Sequence, residues 1–139
     1  VLLETMTDRG SRFIVAQRYL PEILESGDAR ILLLDGEPVA TALVRMPPAD
    51  DHRGNISVGA TTRCRPLTEA ERRVCDHVGP ALREKGLLFV GIDVIGGYLT
   101  EINVTSPTGI RELERAGEAG ITRSLFDAIE DRRTALREA

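Results

Sequence analysis

A glycine pair, Gly96-Gly97, separates two apolar runs of strand length, Leu87 to Ile95 and Tyr98 to Val104. Runs joined by so short a turn fold back on each other as an antiparallel hairpin. Asp35-Gly36 joins Ile31-Leu32-Leu33-Leu34 to the run from Pro38 to Val44 in the same way. Between the hairpins, Thr68-Glu69-Ala70-Glu71 has the capping-box pattern, and Val74, Cys75, Val78, Ala81 and Leu82 follow at helical spacing. Gly79-Pro80 is expected to kink or split this helix and Gly86 to end it. Arg111 to Ala116 reads as a short helix, and Ile121, Leu125, Ala128, Ile129 and Leu136 mark an amphipathic C-terminal one. Hairpins with helices between them define an α+β chain, its sheet largely antiparallel and flanked by helices. Phe13 to Gln17 reads as a further short strand. Residues 46–65 show no apolar period, are rich in Pro, Gly, Asp and Arg, and read as a long mobile lid loop.

At 139 residues the chain is sized for one domain, spanning 1–139, with a real core. Its 18 basic and 22 acidic residues give a net charge of −4, and it has only three Phe and two Tyr. It therefore lacks the basic footprint and the stacking platforms of a nucleic-acid binder. No apolar stretch approaches a membrane span. The opening Val1-Leu2-Leu3-Glu4-Thr5 has no signal-peptide pattern and no initiator Met, so the chain is expected to begin inside something longer. Cys64 and Cys75 form no disulfide framework, which makes the cytoplasm the expected location. Oligomeric state is open, a homo-oligomer included.

The polar residues of the glycine hairpin carry the chemistry. Glu101 and Asn103, two apart on a strand, leave by one face. A two-residue loop at Gly96-Gly97 would pair Asp93 with Thr100 and send it to the other face. A three-residue loop including Tyr98 sets Asp93 opposite Glu101 and Gly91 opposite Asn103, and is favoured because glycine supplies its left-handed position. Two carboxylates so paired repel unless a cation lies between them, and an all-oxygen set suits a hard ion such as Mg²⁺. Gly91 would then leave room for a ligand. The same alternation also describes the wet face of a half-buried strand.

Arg30 begins one strand and Arg45 ends the next, so their guanidinium groups are expected to meet at one sheet edge, where the 46–65 loop starts. Arginine suits bidentate binding of phosphate or carboxylate, and equally suits surface ion pairs. The loop adds Arg53, Arg63 and Arg65, with Gly54-Asn55 and Gly59 as hinge-like points. Thr105-Ser106-Pro107-Thr108 is a polar turn before a helix, able to hold an anion, though by composition the better reading is an N-cap. His52, His77, Cys64 and Cys75 make no zinc spacing.

Several runs resemble the prokaryotic glutathione synthetase family of ATP-grasp ligases. They are Gln17-Arg18-Tyr19-Leu20-Pro21, Asp28-Ala29-Arg30-Ile31-Leu32-Leu33, Asp35-Gly36-Glu37-Pro38-Val39, Arg53-Gly54-Asn55, Glu84-Lys85-Gly86-Leu87, Phe89 to Gly96 and Leu99 to Thr108. The resemblance implies the C-terminal part of an ATP-grasp domain, from an enzyme that joins γ-glutamylcysteine to glycine with ATP through an acyl phosphate. It implies that Asp93, Glu101 and Asn103 ligate Mg²⁺ (or Mn²⁺), and that Arg30 and Arg45 stabilise charge on the transferring groups. Gln17, Tyr19 and Leu20 match the adenine-binding hinge, with Asp28 close to the nucleotide. Arg53, Gly54 and Asn55 would belong to the closing loop, and Ser106 and Thr108 would face the peptide substrate.

Two departures stand against that pattern. Ala60-Thr61-Thr62 replaces a usual Gly-Gly-Arg, which withholds any lid role from Arg63 or Arg65, and Gly109 stands where Cys is common. The other half of the nucleotide clamp would precede Val1, making the missing N-terminal portion a partner and this chain alone inactive. A ligase acting on another carboxylate, or a non-catalytic module of the same fold, stays open.

Overall fold

A computed structural model describes residues 2–48 and 61–138. Helix α1 spans Leu2–Met6 and α2 spans Ile23–Ser26. Strands β1 (Asp28–Leu34), β2 (Glu37–Pro38), β3 (Thr41–Met46) and β4 (Thr61–Pro66) follow. After α3 (Glu69–Glu84) come β5 (Phe89–Ile95), β6 (Tyr98–Asn103), α4 (Ile110–Arg115) and α5 (Ile121–Glu138). The sheet runs β4-β3-β1-β5-β6, with β2 beside β1 and every pairing antiparallel. This is the expected α+β architecture.

Period-2 alternation divides the central strands between two cores. Ala29, Ile31, Leu33, Ala42, Val44, Val90, Ile92 and Val94 face one side with Leu67, Cys75 and Leu82. Leu32 and Leu43 face the other, against Leu113 of α4 and Ile121 of α5. Arg30, Arg45 and Asp93 have the parity of this second face.

Of two expected features of α3, one forms and the other does not. The capping box forms: Glu71 N donates to Thr68 Oγ1 at 3.3 Å, and Thr68 N donates to Glu71 Oε2 at 2.8 Å. Gly79-Pro80, however, does not split the helix, which runs unbroken to Glu84. A Cβ on Gly36 would lie 2.5 Å from the Gly79 carbonyl oxygen, so Gly79 serves as the point where the Asp35-Gly36 turn touches the helix. The 46–65 loop is also shorter than expected. Met46 ends β3, and Thr61 to Arg65 belong to β4, paired along β3. An edge strand buries little, so its side chains lack the apolar alternation that announces a strand. Residues 49–60, with Arg53, Gly54, Asn55 and His52, lie outside the described residues.

Phe13 to Gln17 forms no strand; Phe13 and Val15 are fully exposed, and no described strand pairs with them. Pro38 to Val44 divides into β2 and β3 rather than one strand.

Gly79→Ala should destabilise the chain by about 1–3 kcal/mol, the range for overpacking, since the added methyl meets backbone rather than a movable side chain. Urea unfolding checks this; an unchanged midpoint would show that the turn and helix can separate freely.

Candidate functional site

The β5–β6 hairpin reaches the expected register by an unexpected route. Its loop has two residues: Ile95 pairs with Tyr98 and Val94 with Leu99. The register then shifts, and Asp93 pairs with Glu101, Ile92 with Ile102 and Gly91 with Asn103. Thr100 is the extra residue of a β-bulge, and its hydroxyl donates to the Asp93 carbonyl at 3.0 Å. Neither loop considered from sequence alone is therefore complete. The tight turn is right about Gly96-Gly97, and the bulge restores the face that the longer loop was invoked to explain.

Asp93 is 2% exposed, and both its oxygens accept from arginine. Arg30 grips it as a fork, Nε to Oδ1 at 2.5 Å and Nη2 to Oδ2 at 2.8 Å. Arg45 Nη2 lies 2.9 Å from Asp93 Oδ2 and 2.5 Å from Asp28 Oδ2. Cross-strand geometry makes this possible, because Arg30 pairs with Asp93 across β1 and β5, and Asp28 with Arg45 across β1 and β3. The arginines do converge, but on the central strands rather than at a sheet edge. Asn103, oriented to accept from Arg30 Nη2 at 3.2 Å, donates to Glu101 Oε1 at 3.1 Å.

Two carboxylates thus face two guanidinium groups in a buried quartet of zero net charge. Burial pushes Asp93 up, but the hydrogen bonds and charges of Arg30 and Arg45 outweigh it and hold its carboxyl below the usual range. Bonding to Asp93 raises Arg30 further. Asp28 goes the other way: burial pushes its carboxyl up to about 6, with Arg45 opposing and Asp93 adding to the rise. Among the described residues, Asp28 Oδ1 and Arg45 Nε are buried without a hydrogen-bond partner.

Among the described residues no three His, Cys, Asp or Glu side chains cluster as metal ligands. Asp93, Glu101 and Asn103 offer two carboxylates and one amide, all oxygen, with Glu101 exposed. Asp93 spends three of its roughly four acceptor positions on arginine. All three side chains offer oxygen, the donor type a hard cation takes, and together they would supply only part of its shell.

Beside the quartet lies a groove of about 300 Å³ lined by residues that include Gln17, Leu20, Glu22, Tyr98, Leu99 and Thr100. Thr100 links groove to quartet through its bond to Asp93. Of the four residues matched to the nucleotide, Gln17 and Leu20 line the groove, Tyr19 does not, and Asp28 is paired with Arg45. Ser106 and Thr108 are exposed on the segment leading to α4. They do not cap that helix, whose N-cap is Gly109 with no side-chain bond. Arg65 binds Glu71 through both terminal nitrogens at 2.7 Å, on the α3 side of the sheet, and takes no part in the site.

Residues 1–118 match the family model for the prokaryotic glutathione synthetase ATP-grasp domain. The chain belongs to that family. It is 57% identical over 129 residues to the glutathione synthetase of Pseudomonas aeruginosa, covering 93% of this chain and 40% of the relative. It is 52% identical over 130 residues to that of Coxiella burnetii, 94% of this chain and 40% of the relative. To that of Escherichia coli K12 it is 52% identical over 132 residues, 95% and 42% respectively. The chain thus spans about two fifths of the length of these relatives. Among the described residues, no helix of this ATP-grasp chain is long and apolar enough to cross a membrane.

Sequence reasoning named every arginine and carboxylate of the quartet but missed that Asp28 is part of it. The Asp28/Arg30 spacing of two on a strand carried that signal.

Two measurements follow from the quartet. Arg30→Met should cost about 3–5 kcal/mol in urea unfolding, because it leaves two buried carboxylates, Asp93 and Asp28, sharing Arg45 alone; a loss under about 1 kcal/mol would place Asp93 in water. For Asp28, the folded chain keeps its proton up to about pH 6, while the unfolded chain releases it near 3.8. Folding therefore takes up a proton in that window, and the stability contributed by Asp28 falls as pH rises through it. Asp28→Asn should remove a fall of up to roughly 3 kcal/mol between about pH 4 and pH 7. Equal pH profiles for variant and parent would show an ordinary carboxylate.

Proposed function

We propose that this chain carries the phosphate- and metal-binding part of a cytoplasmic ligase that joins γ-glutamylcysteine to glycine with ATP. The observation that carries the reading is the convergence of Arg30 and Arg45 on Asp93, opposite Glu101 and beside a nucleoside-sized groove. The family resemblance supplies the substrates; the relatives' names give only glutathione as the product.

Gln17, Tyr19 and Leu20 would border the adenine, with Asp28 at the inner end. The γ-phosphate would then reach the guanidinium groups of Arg30 and Arg45. Oxygen donors from Asp93, Glu101 and Asn103 would hold Mg²⁺ or Mn²⁺, which when bound neutralises charge on the ATP phosphates. The dipeptide carboxylate oxygen attacks the γ-phosphorus, the bond to ADP breaks, and an acyl phosphate forms. The glycine amine then attacks the acyl carbon, phosphate leaves with the bonding pair, and the amine loses its proton. Arg30 and Arg45 stay charged throughout and stabilise the phosphoryl oxygens by position, without any protein nucleophile. The Asp93 fork matters here because it holds both guanidinium groups in place before substrate arrives. Ser106 and Thr108 would meet the peptide, and Arg53, Gly54 and Asn55 the closing side. The rest of the longer polypeptide would supply the opposite half of the nucleotide clamp and cover apolar groups such as Phe13, Val15 and Ile102, which are exposed here.

Calorimetric titration with ATP and Mg²⁺, comparing the parent chain joined to its N-terminal portion with its Glu101→Ala variant, tests this. Binding by the parent and a loss of at least about tenfold in affinity in the variant are expected. Equal affinities would remove Glu101 from the metal site. A full-length enzyme that binds ATP but does not ligate γ-glutamylcysteine to glycine would leave a ligase for another carboxylate.

A further inference from the structure

The space above Gly91 is filled by the protein itself. A Cβ there would lie 2.6 Å from Pro107 Cβ and 3.2 Å from Arg30 Cδ. Pro107 is buried while Ser106 and Thr108 on either side are exposed. Thr108 is tied down as well, its carbonyl accepting from Arg30 Nη1 at 3.4 Å. Gly91 has no positive φ, so the backbone there does not require glycine. What requires it is the missing side chain. The glycine does not open a path for a ligand, as its place opposite Asn103 suggested; it forms a notch in β5 occupied by a proline.

We propose that Gly91 and Pro107 are positioning residues that seat the 105–108 segment over the Asp93 quartet and so set the place of the peptide substrate. This rests on the reading that Ser106 and Thr108 face that substrate. The notch lies on β5 two residues before Asp93, and Arg30 runs from the notch to the Asp93 carboxylate. The segment is thereby referenced to the same two groups that hold the phosphoryl site. A methyl at position 91 would push Pro107 back by about 1 Å to reach ordinary contact distance. The two exposed hydroxyl groups would move with it, away from the reacting centre.

The test is a double-mutant cycle in the full-length enzyme: Gly91→Ala, Pro107→Gly and the pair. Gly91→Ala should raise KM for γ-glutamylcysteine at least about tenfold, since misplacement of about 1 Å is costly, and leave KM for ATP within about twofold. Pro107→Gly should act the same way. The pair should be no worse than the poorer single variant, because either change alone empties the seat. Urea unfolding of the same set should show the same non-additivity. Additive effects on stability and KM, or an unchanged peptide KM in both single variants, would overturn the seat. A parent enzyme that fails to ligate γ-glutamylcysteine overturns the substrate assignment instead, and the stability cycle still judges the seat.

Discussion

The structure depends on one buried carboxylate. Asp93 sits on a central strand where a lone negative charge would cost several kcal/mol, and two guanidinium groups hold it there. Three strands must be in register for this to work, because Arg30, Arg45 and Asp93 come from β1, β3 and β5. A slip of one residue in any of them would turn its member of the quartet into the opposite apolar core. The site thus specifies the sheet as much as the sheet positions the site.

The two faces of the sheet divide the labour. Against α3, the central strands present apolar side chains, and helix and sheet close around them, with the Arg65–Glu71 pair at the β4 edge. On the other face, α4 and α5 cover only part of the surface, around Leu32 and Leu43. The remainder carries the charged quartet and the polar hairpin. In the proposed ligase, arginines already held in place would need little rearrangement to meet a phosphate.

Close backbone approach recurs where the layers are joined. Gly36 and Gly79 let a turn rest on α3, and Gly91 lets a proline rest on β5. In both places what matters is the absent side chain. Nothing in local sequence distinguishes such a glycine from a helix breaker or an opening for ligand, because its contact lies far along the chain.

Local pattern by itself determined the hairpins, the capping box of α3, the short helix α4, the amphipathic α5 and the α+β class. Each is set by neighbours within a few residues: a turn, a cap or an apolar period. The same pattern singled out Arg30, Arg45, Asp93, Glu101 and Asn103, side chains that the fold then gathers at one place. Only tertiary structure decided that β4 is a strand, since an edge strand of Thr and Arg draws its order from β3 rather than from its own apolarity. It alone carried α3 through Pro80, left Phe13 to Gln17 unpaired and moved Asp28 into the quartet. The Thr100 bulge belongs with these. Loop length and pairing register are separate choices once a strand can absorb an extra residue, and the choice is made by what Asp93 meets on the neighbouring strand.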